Sequence, residues 1–178
     1  EPNMYVLSIG INKYKGFTTL KNAVNDAKGI LNKVKKDNEF SYYDKTVHYK
    51  GRNRTKVTIK DTYTYGLYDE NATIENVRSA FKSIIKNAKP RDYFVLFYSG
   101  MSFSLENVES AFVLYQEEAI NFDNPKSNRI IKISELASLM NQISSNNQLI
   151  ISESCYGQSS SKKLMSYMFE DNPLVASV

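Results

Sequence analysis

Apolar residues fall along this chain in two rhythms. Short, nearly unbroken apolar runs occupy Tyr5 to Ile11, Tyr93 to Tyr98 and Leu149 to Ile151. Runs of that length, bounded by polar residues, predict strands buried on both faces, as in a parallel sheet flanked by helices. Between them the spacing turns helical. Leu20, Ala23, Val24, Ala27, Leu31 and Val34 predict an amphipathic helix ending in the basic tail Lys33, Lys35 and Lys36. Ile74, Val77, Phe81, Ile84, Ile85 and Ala88 form a second stripe, with Thr73 as its N-cap and Pro90 as its stop. Leu136, Leu139, Met140 and Ile143 form a third, which Ser134 is expected to cap.

The remaining segments read as strands and loops. Thr46 to Tyr49 and the alternating stretch Val57 to Tyr65 predict two strands around a Gly51-Arg52-Asn53-Arg54 turn. Ala111 to Tyr115 predicts a short extra strand, and Glu117 to Arg129 a polar loop. The order is then strand, helix, strand, hairpin, helix, strand, helix, strand. Long crossovers of this kind join parallel strands right-handedly. The loops Asn12 to Thr19, Gly100 to Ser104 and Cys155 to Ser161 consequently share one edge of the sheet, the edge where open α/β sheets place chemistry.

Composition narrows the function classes. A chain of 178 residues fits one domain with a real core. No run of 18 apolar residues occurs, the first residues do not read as a signal peptide, and a soluble, cytoplasmic protein is expected. One Cys and one His exclude an internal disulfide and an ordinary zinc site, so no cofactor or metal is expected. The net charge of +4 is mild, and permits an acidic partner without requiring one. A chain opening Glu1-Pro2-Asn3 and closing on the apolar run Leu174 to Val178 is expected to be one module, residues 1–178, of a larger protein.

The single cysteine, Cys155, ends the last apolar strand and precedes a glycine-serine loop. An isolated Cys is usually a small buried hydrophobe, but a strand-end position exposes a nucleophile. The segment Glu153-Ser154-Cys155-Tyr156-Gly157 resembles the nucleophile segment of the caspase, metacaspase and prokaryotic caspase-like peptidases. In caspases that segment ends Cys-x-Gly and the partner histidine lies about 50 residues upstream. At that distance stands Asp92-Tyr93-Phe94-Val95-Leu96-Phe97-Tyr98-Ser99-Gly100-Met101-Ser102, similar to the family's aromatic strand ending Ser-Gly-His-Gly. Met101 occupies the histidine position and Ser102 the glycine after it. Ile11-Asn12-Lys13-Tyr14, Asn25-Asp26-Ala27 and Asn71-Ala72-Thr73 match further family segments, so the resemblance covers nearly the whole chain.

The resemblance implies a three-layer α/β caspase-like fold: a mostly parallel central sheet, helices on both faces, and an extra hairpin after strand 2. It implies a cysteine endopeptidase of cell-death, defence or signalling pathways, acting on a protein or peptide substrate, with further domains or a regulatory partner. It assigns Cys155 as nucleophile, Met101 to the general-base position, and Gly100 and Ser102 to the oxyanion side. Asp26 and Glu153 become the acids of a substrate pocket, and two carboxylates there would select Arg or Lys. Lys162 and Lys163 are then candidate self-cleavage sites.

The departure at Met101 bears on activity. A thioether exchanges no proton near neutral pH. His48, the only histidine, falls in the predicted second strand, away from the strands carrying Met101 and Cys155, and is not the expected replacement. The rival reading is a pseudoprotease scaffold or peptide-binding module. Lys50, Arg52, Arg54, Lys56 and Lys60, with Tyr49, Tyr63 and Tyr65, also resemble a basic stacking surface for single-stranded nucleic acid. The mild charge and the absence of a recognised motif favour a solvated hairpin edge instead, so nucleic acid is not the expected partner, and neither is a membrane.

Overall fold

The structure, a computed structural model, describes residues 1–17, 19–36, 39–43, 54–105, 109–118 and 129–154. Strand β1 (Met4–Gly10) is buried at every position. It pairs in parallel with β4 (Thr62–Tyr68) on one side and β5 (Tyr93–Gly100) on the other. On the far side of β5 lies β9 (Asn147–Ser154), also parallel, giving the sheet order β4-β1-β5-β9. Three antiparallel strands, β6 (Ser102–Leu105), β7 (Glu109–Val113) and β8 (Ile130–Lys132), form a second small sheet leaving the tip of β5.

Alternation along β1 sorts the core into two layers. Tyr5, Leu7 and Ile9 face helices α2 (Ile74–Asn87) and α3 (Ile133–Asn141), sharing one cluster with Val77, Phe81, Ile84, Leu136 and Met140. Met4 and Val6 face helix α1 (Ala23–Lys36) and share the smaller cluster with Leu31 and Ile59. The central sheet is therefore covered on both faces, as its unbroken apolar strands require. Ser8 is buried on the α1 side, and its hydroxyl donates to the Ala27 carbonyl at 2.8 Å. Gly10 follows on the same face, where a Cβ would lie 2.6 Å from the Ala27 Cβ and 2.5 Å from the Ala23 carbonyl oxygen. Helix and strand approach closely there because glycine leaves room.

Thr73 caps α2, its hydroxyl accepting from the Asn76 N–H at 3.3 Å, and the helix ends before Pro90. Ser134 is not the cap of α3: Lys132 holds the N-cap position without a side-chain bond, and Ser134 sits inside the first turn.

The hairpin also differs from expectation. Its arms are β2 (Glu39–Tyr43) and β3 (Arg54–Thr58), antiparallel, and the strand that joins the central sheet, β4, follows the hairpin. Thr46 to Tyr49 lies outside the described residues. The stretch Val57 to Tyr65 is two strands rather than one, because the chain turns at Lys60 and Asp61. There the Lys60 N–H donates to the Pro2 carbonyl and the Met4 N–H to the Asp61 carbonyl, each at 2.9 Å. Val57 and Ile59 consequently pack toward α1, whereas Tyr63 stacks on Tyr5 and Tyr65 bonds Ser83 of α2 on the opposite face. Among the described residues no helix is long and apolar enough to cross a membrane.

Candidate functional site

The C-terminal ends of all four parallel strands meet at one edge, with Gly10 opposite Tyr68 and Ser99, and Gly100 opposite Ser154. The loops predicted to share that edge therefore do so where they are described. The residues that precede Met101 and Cys155 are direct cross-strand partners. Ser102, 1% exposed, donates its hydroxyl to that of Ser154 at 3.0 Å, a second link between the two tips. Cys155 itself, like His48, Lys162 and Lys163, lies outside the described residues.

Backbone hydrogen bonds hold Met101 on both sides. Its N–H donates to the Tyr14 hydroxyl at 2.9 Å. Its carbonyl accepts from the Tyr98 hydroxyl at 2.6 Å and from the Val113 N–H at 2.9 Å. The two tyrosine oxygens are 3.4 Å apart and both hydroxyls reach the Val113 carbonyl, Tyr98 at 2.8 Å and Tyr14 at 3.3 Å, so the groups close a ring from the Met101 N–H through both hydroxyls back to the Met101 carbonyl. Tyr98 is fully buried and stacks on Phe112, with ring centroids 4.0 Å apart. Gly100 is required beneath this ring: a Cβ there would come within 2.7 Å of the Tyr98 hydroxyl and closer still to that of Tyr14. The Met101 side chain is buried in the α2 and α3 core cluster rather than left open at the edge.

The two candidate acids lie on the other face of the sheet. Ser8 faces α1, Phe97 is its partner on β5, and Ile151 is the partner of Phe97 on β9. Two residues further on, Ser99 and Glu153 point the same way. Glu153 is exposed and Asp26 half-buried. On α1, Leu31 lies near Gly66 and Lys28 lies over the Tyr68 ring, so that flank overhangs β4. Asp26 falls on the opposite flank, toward β5 and β9. The structure thus brings Asp26 and Glu153 to one face, and Gly100, Met101 and Ser102 to the adjoining strand tip.

Sequence reasoning missed three residues that build this edge. Tyr14 was visible only as part of a motif, and Tyr98 as one more aromatic in an apolar strand. Asp69 is the third. It adopts φ 43°, a left-handed conformation that aspartate tolerates better than most residues. Its carboxylate accepts from the Asn12 N–H at 2.8 Å and the Lys13 N–H at 3.0 Å, pinning the loop after β1. Beside it Lys13 donates to Glu70 at 2.8 Å. That bond holds the Glu70 carboxyl below its ordinary range and raises the Lys13 ammonium. A surface cavity of about 470 Å³, lined in part by Lys13, Tyr14, Tyr115 and Gln116, backs onto the tyrosine ring. Among the described residues no cluster of His, Cys, Asp and Glu could hold a metal ion.

A parallel sheet covered on both faces, with paired strand tips leading into the two motif positions, defines an α/β domain of caspase-like architecture. The chain belongs to the caspase domain family, peptidase C14, which it matches over residues 4–174. This is a cysteine-peptidase-type family. Among solved structures, the chain is similar to protein GSU0716 from Geobacter sulfurreducens, with a TM-score of 0.61 and 17% identity. That likeness covers 94% of this chain and 55% of the other, so the chain spans about half of that protein's length. At this identity the likeness is one of fold. No curated protein matches.

Proposed function

We propose that this domain is a caspase-like cysteine endopeptidase module in which Cys155 is the nucleophile and catalysis is disabled or severely impaired by Met101. The observation that carries the reading is the pairing of Gly100 with Ser154, reinforced by the Ser102 to Ser154 hydroxyl bond, at the tips that lead into positions 101 and 155. A cysteine nucleophile is activated by a base that takes the thiol proton and later protonates the leaving amine. Met101 does neither. Asp26 and Glu153, on one face beside these tips, form an acidic pocket that selects Arg or Lys before the cut bond. The protein or peptide substrate belongs to a defence, cell-death or signalling pathway, and the module works in the cytoplasm with further domains or a regulatory partner.

A panel of fluorogenic peptides differing in the residue before the bond tests this in a Met101→His protein, with Cys155→Ala in the same background as control. Arg and Lys peptides should be cut, an Asp peptide spared, and the control silent. Cleavage in the control, or a preference for Asp, overturns the assignment.

The burial of the Met101 side chain in the core favours a second reading, a pseudoprotease scaffold. In that case the cleft binds a partner peptide without cutting it, and Met101→His restores no activity.

A further inference from the structure

Helix α1 and its approach carry a compact set of positive charges. Lys21, Lys28, Lys33, Lys35 and Lys36 stand on or just before α1 against a single carboxylate, Asp26. Those five and that one give this segment a local charge of +4. All five lysines are exposed. The inner side of α1 is taken up by the sheet, and these charges stand on its outer side and flanks, with Lys28 reaching over the Tyr68 ring at the β4 flank.

Lys28 and Lys35 are one heptad apart on α1, about 10.5 Å along the axis, and Lys21 stands two residues before the helix begins. Lys33 lies on the opposite flank. Between the two rows runs a strip of short polar residues, Asn25, Gly29 and Asn32, continued by Lys36. Gly29 is among the poorest helix formers. Among the described residues nothing calls for it, since a Cβ at Gly29 would meet no atom within 4 Å.

We propose that the outer face of α1 is a docking surface for an acidic helical segment of a partner protein. Carboxylates at heptad spacing on a helix lying along α1 would fall opposite Lys28 and Lys35, with Lys21 beyond the helix start, and the low strip at Gly29 lets the two backbones approach. Nucleic acid fits this face less well. It carries no exposed aromatic ring for base stacking and no arginine fork for phosphate. A membrane surface fits poorly too, because the row lacks the apolar side chains that insert below headgroups. The proposal goes beyond the peptidase reading and does not depend on it, since binding alone is read. Asp26 lies in the first turn of the same helix, which sets the docked segment beside the candidate substrate pocket.

The test is fluorescence anisotropy with a labelled alanine-rich helical peptide bearing Glu at heptad positions. A 12-base-pair duplex DNA and vesicles containing anionic lipid serve as the competing probes. Saturable peptide binding is expected at low salt, weakened at 300 mM salt, and weakened about tenfold or more by Lys21→Glu, Lys35→Glu and Lys36→Glu combined. Gly29→Gln, which removes no charge, should weaken it as well. These are exposed positions, and an unchanged circular dichroism spectrum checks the fold. No saturable peptide binding, binding indifferent to the lysine changes, or tighter binding of the duplex or vesicles than of the peptide overturns the proposal.

Discussion

Removing the Tyr14 hydroxyl should destabilise the domain more than removing the Tyr98 hydroxyl, although Tyr98 is the more deeply buried of the two. The reason is what each leaves behind. Met101 N–H, in a residue only 7% exposed, has Tyr14 as its acceptor, and Tyr14→Phe strands that donor. In Tyr98→Phe the Met101 carbonyl keeps the Val113 N–H at 2.9 Å, and the Val113 carbonyl, which loses Tyr98 at 2.8 Å, keeps Tyr14 at 3.3 Å. An ordinary lost hydrogen bond costs about 1 kcal/mol, and a buried group left unpaired about 2 kcal/mol. For a domain of this size those costs correspond to falls in Tm of roughly 3 °C for Tyr98→Phe and roughly 6 °C for Tyr14→Phe. Urea titrations with unchanged slope would report the same order. The double variant should depart from the sum, since the hydroxyls are 3.4 Å apart and both serve the Val113 carbonyl, which loses the two donors together. Faster hydrogen exchange at the Met101 amide in Tyr14→Phe alone would locate the effect. If Tyr98→Phe costs as much as Tyr14→Phe, or more, Tyr14 is not the partner on which the Met101 donor depends.

Two further outcomes follow from distances at the same end of the sheet. Gly10→Ala places a methyl 2.6 Å from the Ala27 Cβ and against the Ala23 carbonyl, so α1 must lift from the sheet. Thermal unfolding should show a loss of about 2 kcal/mol or more, and no loss would mean that the helix is not seated as described. In Lys13→Met, the Glu70 carboxyl should titrate closer to its ordinary value when followed by NMR. Because Lys13 depresses that group in the fold, the pair's contribution is present above the ordinary carboxylate range and fades as pH falls through the lowered value. On the alkaline side it fades as pH rises through the raised Lys13 value. An unmoved Glu70 titration would dismiss the ion pair.

Much of the fold was legible because burial on both sides writes itself as unbroken apolar runs. β1 and β5 were found that way, and α2 from its stripe and its Thr73 cap. The hairpin was misplaced for a physical reason. Val57, Ile59, Tyr63 and Tyr65 keep a period of two, which reads as one strand with one inner face. The turn at Lys60 and Asp61 instead switches faces midway, and a pattern of hydrophobicity does not record which layer a residue joins. The strand tips were legible through motif spacing, and their adjacency followed from topology. The ring of Tyr14 and Tyr98 around Met101 was not legible. It depends on hydroxyls brought together from residues 84 apart, and in the sequence a tyrosine in an apolar strand looks like packing alone.

The central claim is that a cysteine-peptidase site stands at the tips of β5 and β9 and lacks only its base. Its most direct test is kcat/KM on an Arg fluorogenic peptide for Met101→His against the unaltered chain. A rise of about a thousandfold or more, abolished by Cys155→Ala, is predicted. Equal rates in the two proteins would contradict it.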